Sequence, residues 1–136
     1  MVIVDASALY AYFNEADHTH EAVVSALSTC DELLTISPFV LAEVDYLVLK
    51  RLGVKTELLV LGELLSGAWD IAPVTIDQLR RAMDVVKRYA DERIGLTDAL
   101  NVVLAEDTRT KTIATLDRRH FGVLRMANGS VLGIVP

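Results

Sequence analysis

Apolar residues recur along this chain with two alternating periods, and the switches between them mark out the elements. Met1-Val-Ile-Val is a short β-branched run ending at an acid, Asp5, and reads as a strand followed by a helix over about Ala6 to Phe13. A second helix is expected up to about Thr29, with Asp17 as its N-cap, because a side-chain oxygen there can accept from the unpaired first-turn amides. Leu33 to Ser37 forms a short strand. Pro38 suits the first turn of the next helix, which carries Val40, Leu41, Val44, Leu47 and Val48 and stops at Gly53. Val54 to Ser66 is a further helix, ended by Gly67, and Trp69 to Val74 a further strand.

Beyond these, Ile76, Leu79, Met83, Val86 and Ala90 recur at helical spacing with bases opposite them, the mark of an amphipathic surface helix. Leu96 to Ala105 is apolar nearly all the way round and is therefore expected at the centre of the fold. Thr112 to Leu116 reads as a strand, and Val131 to Val135 as the last one, after an Asn128-Gly129 turn. Strands alternating with helices define the α/β class, with a mainly parallel central sheet and helices on both faces. A length of 136 residues with 52% hydrophobic content suits one domain over residues 1–136. The best apolar run, Phe39 to Leu49, is interrupted by Glu43 and Asp45, so no membrane span is expected. The chain opens directly on a strand without the basic and long apolar regions of a secretory signal, which points to a cytoplasmic protein. Cys30 is the single cysteine and has no internal disulfide partner.

Chemistry enters with the acids. Asp5, Glu43, Asp98 and Asp117 each interrupt an apolar stretch, and buried carboxylates need compensation because desolvation and neighbouring like charges both disfavour ionisation. A divalent cation supplies it. Asp5 and Asp117 end strands of the same grammar, and in an open α/β sheet functional groups collect at the carboxyl ends of strands, above all where strand order reverses. Capping offers a simpler reading: Asp5 or Ser7 could cap the first helix, and Thr97 or Asp98 the buried one. Capping does not by itself explain a second strand-end acid at Asp117. On the third helix, periodicity leaves Glu43 and Asp45 equal.

Net charge is −6, against a protein that coats nucleic acid through a basic face, though not against a nuclease whose acids serve internally. The bases gather in Arg80, Arg81, Lys87, Arg88 and Arg93, read mainly as a solvated helix face, and in Arg109, Lys111, Arg118 and Arg119. Arg118 and Arg119 lie next to Asp117 and are candidates to hold phosphate. His18 and His20 do not make a zinc site, since residues two apart do not share a helix face and no Cys pair accompanies them. His120 is expected to pack or hydrogen-bond beside Phe121.

Four segments together, Val4-Asp5-Ala-Ser7-Ala-Leu, Pro38-Phe-Val-Leu-Ala-Glu43, Gly95-Leu-Thr-Asp98-Ala-Leu and Ala114-Thr-Leu-Asp117-Arg-Arg-His-Phe121, resemble a PIN domain, and the size is similar to that of the VapC ribonuclease toxins of prokaryotic toxin–antitoxin pairs. The resemblance implies neighbouring Asp5 and Asp117 strands and selects Glu43 over Asp45. It implies metal-dependent RNA hydrolysis with Asp5, Glu43, Asp98 and Asp117 as the catalytic acids, and Asp5, Asp98 and Asp117 about the metal. Mg²⁺, or alternatively Mn²⁺, suits such oxygen donors. Ser7 and Thr115 would support the acids by hydrogen bonds. A cognate antitoxin and a homodimer are the implied protein partners. Two rivals use the same acids: a phosphoryl-transfer or receiver-like domain with Asp5 as covalent acceptor, and a non-catalytic module whose acidic cleft takes a partner's basic side chain. Against the first, Ser7 stands where a phosphatase motif needs a second acid.

Overall fold

The computed structural model describes residues 1–136. Its sheet is built from β1 (Val2–Val4), β2 (Leu34–Ile36), β3 (Asp70–Ile71), β4 (Thr112–Ala114) and β5 (Gly133–Val135), with α1 (Ala6–Phe13), α2 (His20–Ser28), α3 (Pro38–Leu52), α4 (Val54–Leu64), α5 (Ile76–Arg88), α6 (Gly95–Thr108) and α7 (Arg118–Val123) around it. The strands lie in the order β3-β2-β1-β4-β5, and every pairing is parallel. The chain builds outward from β1 through β2 to β3, then returns to add β4 and β5 on the other side of β1. Strand order therefore reverses between β1 and β4.

Alternation along the strands divides the interior in two. Val2, Val4 and Ala114 face a core completed by α1 to α4, including Leu9, Val40, Val44 and Leu64. Ile3 and Ile113 point the other way, toward a core with Leu100, Val103 and Phe121 from α6 and α7. Opposite side-chain directions at successive strand residues are what put helices on both faces. Gly53 makes the tight corner between α3 and α4 with φ of +89°, a conformation that glycine adopts without steric cost.

The expected elements are present with shifts at their ends. α2 starts at His20 rather than at an Asp17 cap. Asp17 instead accepts from the Thr19 N–H at 2.8 Å and the Thr19 hydroxyl at 2.6 Å, a local turn that competes with capping. The strand expected over 69–74 contracts to Asp70–Ile71, since Trp69 leaves the ladder to pack on Tyr12 and Phe13. Arg81, expected on a solvated face, is spent on α6, where it donates to Asp107 at 2.6 Å and to Glu106 at 2.9 Å. α5 is well delimited by a capping box, Thr75 and Gln78 each bonding the other's backbone.

Ile113 tests this layering because it is 0% exposed at the middle of β4. Ile113→Ala should cost about 2–5 kcal/mol of unfolding free energy. Val131→Ala, at a position 55% exposed, should stay within roughly 0.5 kcal/mol of neutral. Denaturant titration of both variants distinguishes them, and equal losses would contradict the two-layer core.

Candidate active site

The carboxyl ends of β1 and β4 stand side by side at the strand-order reversal, where the Asp5 N–H donates to the Ala114 carbonyl at 2.9 Å. That register brings Asp5 alongside Thr115. Asp5 is only 4% exposed, and its charge is held by a dense set of donors. Its Oδ2 accepts from the Ser7 hydroxyl at 2.9 Å and the Thr115 hydroxyl at 3.0 Å. Its Oδ1 accepts from the Asn101 side-chain amide at 3.1 Å. With both hydroxyl protons committed to Asp5, the oxygens of Ser7 and Thr115 are free to accept, and they do so from the N–H groups of Leu116 and Asp117, each at 3.0 Å. The two hydroxyls thus join β1, α1 and the segment after β4 into one polar seam.

Asp5 also caps α1, its Oδ2 lying 3.4 Å from the Ser7 N–H, and Asp117 caps α7, accepting from the His120 N–H at 2.9 Å. Capping therefore accounts locally for both strand-end acids, contrary to the expectation that it would leave Asp117 unexplained. It does not account for Asp98. No side chain caps α6, so neither Thr97 nor Asp98 is there for that purpose.

Asp5, Ser7, Glu43, Asp98 and Asp117 line one cleft of about 440 Å³, together with Tyr10, Thr97 and His120. Asp45 is absent from the cleft lining, and its carboxyl beside Glu57 of α4 raises the Glu57 pKa. Repulsion marks the cleft. Burial, then the charge of Asp5, push the Asp98 carboxyl up to about 7, against the pull of His120. Burial and Asp5 likewise raise Glu43, offset by a hydrogen bond from Thr97.

Two residues of the site were not expected from the sequence. His120 does not merely sit beside Phe121: its Nδ1 lies 2.8 Å from Asp98 Oδ2 and 2.9 Å from Asp117 Oδ2. Asn101 is fully buried, one helical turn after Asp98 on α6. Its place three residues beyond an acid was the available signal, masked by the apolar run around it. Its own Oδ1 meets no protein donor, at a cost of about 1–3 kcal/mol for a buried unpaired acceptor, while its Nδ2 secures Asp5. Arg118 and Arg119 lie at the start of α7, outside the cleft lining, and Arg118 donates to the Pro136 carbonyl at 2.6 Å.

Donor chemistry fits a small hard cation. Asp98, Asp117 and His120 can each present one ligand atom, all within 4.8 Å of one another, beside two further carboxylates whose repulsion a divalent charge would relieve.

A parallel α/β sheet with carboxylates gathered at its switch point defines the class, and a family model then makes it specific: the PIN domain matches residues 2–125. The chain belongs to the PIN domain family. It is 47% identical over 135 residues to Ribonuclease VapC26 of Mycobacterium tuberculosis, a match covering 99% of this chain and 100% of that protein. Among solved structures, the fold is similar to Mycobacterium tuberculosis VapC20, a sarcin-ricin loop cleaving toxin, with a TM-score of 0.82 at 19% identity over 88% of this chain and 92% of that one. It is also similar to a chain of a toxin–antitoxin complex from Klebsiella pneumoniae, with a TM-score of 0.71 at 18% identity, covering 100% of this chain and 97% of that one.

The raised Asp98 pKa carries a signed consequence for the metal-free protein. Between the ordinary carboxyl value of 3.8 and about 7 the folded state binds more protons than the unfolded chain, so this contribution to stability falls as pH rises through that window. Asp98→Asn removes the charge. In chelator, its stability relative to wild type should improve from pH 5 to pH 8 by on the order of 1–2 kcal/mol, allowing for solvent screening at the cleft. Denaturant titrations at the two pH values measure it; a pH-independent difference would contradict the crowding of charge around Asp98.

Proposed function

We propose that this chain, residues 1–136, is a single-domain, metal-dependent endoribonuclease and the toxin of a toxin–antitoxin pair. The observation that carries the reading is the convergence of Asp5, Glu43, Asp98 and Asp117 on one cleft at the β1/β4 switch point, in a chain 47% identical to a ribonuclease over nearly its whole length. The cation is Mg²⁺ or Mn²⁺, both suited to carboxylate oxygen. The chemistry gained when it is bound is activation of water and neutralisation of charge on the phosphodiester.

The chain's own residues divide the remaining work. Asp5, clamped by Ser7, Thr115 and Asn101, is a rigid wall of negative charge against which the cation and Asp98 are set. Asp98 and Asp117 are the more accessible ligands, and Glu43 reaches across from α3 to orient water or take up a proton, which its raised pKa suits. Arg118 and Arg119 extend the site toward substrate phosphates at the rim. The antitoxin meets the toxin at the cleft and on neighbouring apolar helix surface, where Tyr46, Leu49 and Leu58 are exposed. We further propose that the protein is a cytoplasmic homodimer; no helix is long and apolar enough to cross a membrane. A covalent phosphoryl-acceptor role for Asp5 is disfavoured because Ser7 stands where a phosphatase motif has its second acid.

Purified protein incubated with total RNA should cleave it only in the presence of Mg²⁺ or Mn²⁺. Asp5→Asn, Asp98→Asn and Glu43→Gln should each lower the rate by at least about a hundredfold, whereas Asp45→Asn should stay near wild type. Cation titration should also raise the melting temperature by mass action, with a blunted response in Asp98→Asn. Undiminished cleavage in chelator would refute the metal-dependent reading, and a fully active Asp98→Asn would remove that residue from it.

RNA grip is tested separately in the Asp5→Asn background. Replacing Arg118 and Arg119 together by Ala should weaken RNA binding and flatten its dependence on salt by roughly one to two released counterions. An unchanged slope would place the phosphate contacts on another surface.

A further inference from the structure

We propose that His120 is a nitrogen ligand of the cation site, joining Asp98 and Asp117 through Nδ1, and that it tilts the site from Mg²⁺ toward Mn²⁺. The inference rests on the metal-dependent reading above and deepens it. An acid cluster alone would suggest an all-oxygen site. Here the third group is an imidazole, and its position is not incidental.

Nδ1 lies 2.8 Å from Asp98 Oδ2 and 2.9 Å from Asp117 Oδ2. The Asp98 contact is a hydrogen bond in the metal-free protein; a small cation with metal–ligand bonds of about 2.1 Å holds adjacent ligands at right angles about 3 Å apart, so the same spacings let the three groups become neighbouring ligands on one ion without rearrangement. The three groups come from different parts of the chain: Asp98 from α6, Asp117 from the end of the β4 segment, His120 from α7. Asp117 divides its oxygens, Oδ1 accepting from the His120 N–H in the helix cap and Oδ2 facing the imidazole. The cap that starts α7 is thus also the device that aims the ring. All three side chains are partly shielded, with 16% exposure for Asp98, 21% for His120 and 33% for Asp117, and all line the cleft that holds Asp5 and Glu43.

Ligand type then decides the preference. Mg²⁺ strongly favours oxygen and retains its waters, whereas imidazole suits first-row transition ions better, so a nitrogen in the set favours Mn²⁺ relative to Mg²⁺. The competing role for the same geometry has the opposite sign. If the ring acted only as an internal counter-ion, donating its N–H to both acids, it would oppose the entry of any cation.

The test uses the metal-free full-length protein and two readouts independent of activity. Calorimetric titration with Mn²⁺ and with Mg²⁺ should show Mn²⁺ affinity falling roughly tenfold or more in His120→Ala, about 1.4 kcal/mol per factor of ten. Mg²⁺ affinity should change much less. Pulsed electron paramagnetic resonance of the Mn²⁺-loaded wild type should show coupling to an imidazole ¹⁴N that is absent from His120→Ala. The wild-type spectrum needs no variant to fold. An oxygen-only spectrum, with Mn²⁺ binding still lost in Asp98→Asn, would overturn the role of His120 and leave the carboxylate site standing. Tighter binding of both ions to His120→Ala would overturn it in favour of the counter-ion role. Failure of the wild type to bind either ion would overturn the metal-dependent reading itself, and this inference with it.

Discussion

The buried carboxylate of Asp5 is the charge around which the rest of the structure is arranged. At 4% exposure it has little water to solvate it, and a buried charge is tolerated only where hydrogen bonds replace that water. Three parts of the chain contribute donors: Ser7 from α1, Thr115 from just past β4 and Asn101 from α6. Each must be in register for the others to reach. The β1–β4 pairing delivers Thr115, the turn into α1 delivers Ser7, and packing of α6 over the sheet delivers Asn101. Satisfying one charge therefore pins the switch point from three directions.

Against this hydrogen-bonded acid stands a group of others that the fold does not neutralise. Asp98 is forced toward neutrality by burial and by Asp5, and Glu43 is raised for the same reasons. Such repulsion is unfavourable for folding, and its concentration in one cleft is the usual sign that function rather than stability set the arrangement. The N-terminal ends of α1 and α6 open onto the same cleft, and their partial positive charge offsets some of it. The cap roles of Asp5 and Asp117 add a further economy. Each acid starts a helix with one interaction and faces the cleft with another, so local structure and site geometry depend on the same side chains.

Much of this was legible before any contact was known. The β-branched runs, the Pro38 start, the Gly53 stop and the apolar α6 follow from steric limits and periodicity that act over a few residues. The two strand-end acids were visible because their local contexts repeat, and the alternation of strand and helix placed them in a parallel sheet. Element ends were less well defined: Asp17 satisfied its neighbour Thr19 instead of a helix, and Trp69 left its strand for an aromatic cluster. In neither case did the local pattern specify which partner the side chain would take.

By itself, the chain's order of residues determined the class of fold, the elements and the four segments whose resemblance names the family, because each depends on interactions between near neighbours or on a pattern of types. The tertiary structure supplied the physical basis for the choice between the helical acids that the resemblance had made, with Glu43 lining the cleft and Asp45 beside Glu57. It alone brought the imidazole of His120 between Asp98 and Asp117, and set the amide of Asn101 against Asp5 across 96 positions of sequence. Periodicity specifies that a helix has an apolar side, but not the rotation at which that side meets its neighbours. Hydrogen bonds reach only about 3 Å, so the partners of a polar side chain are settled when the layers close.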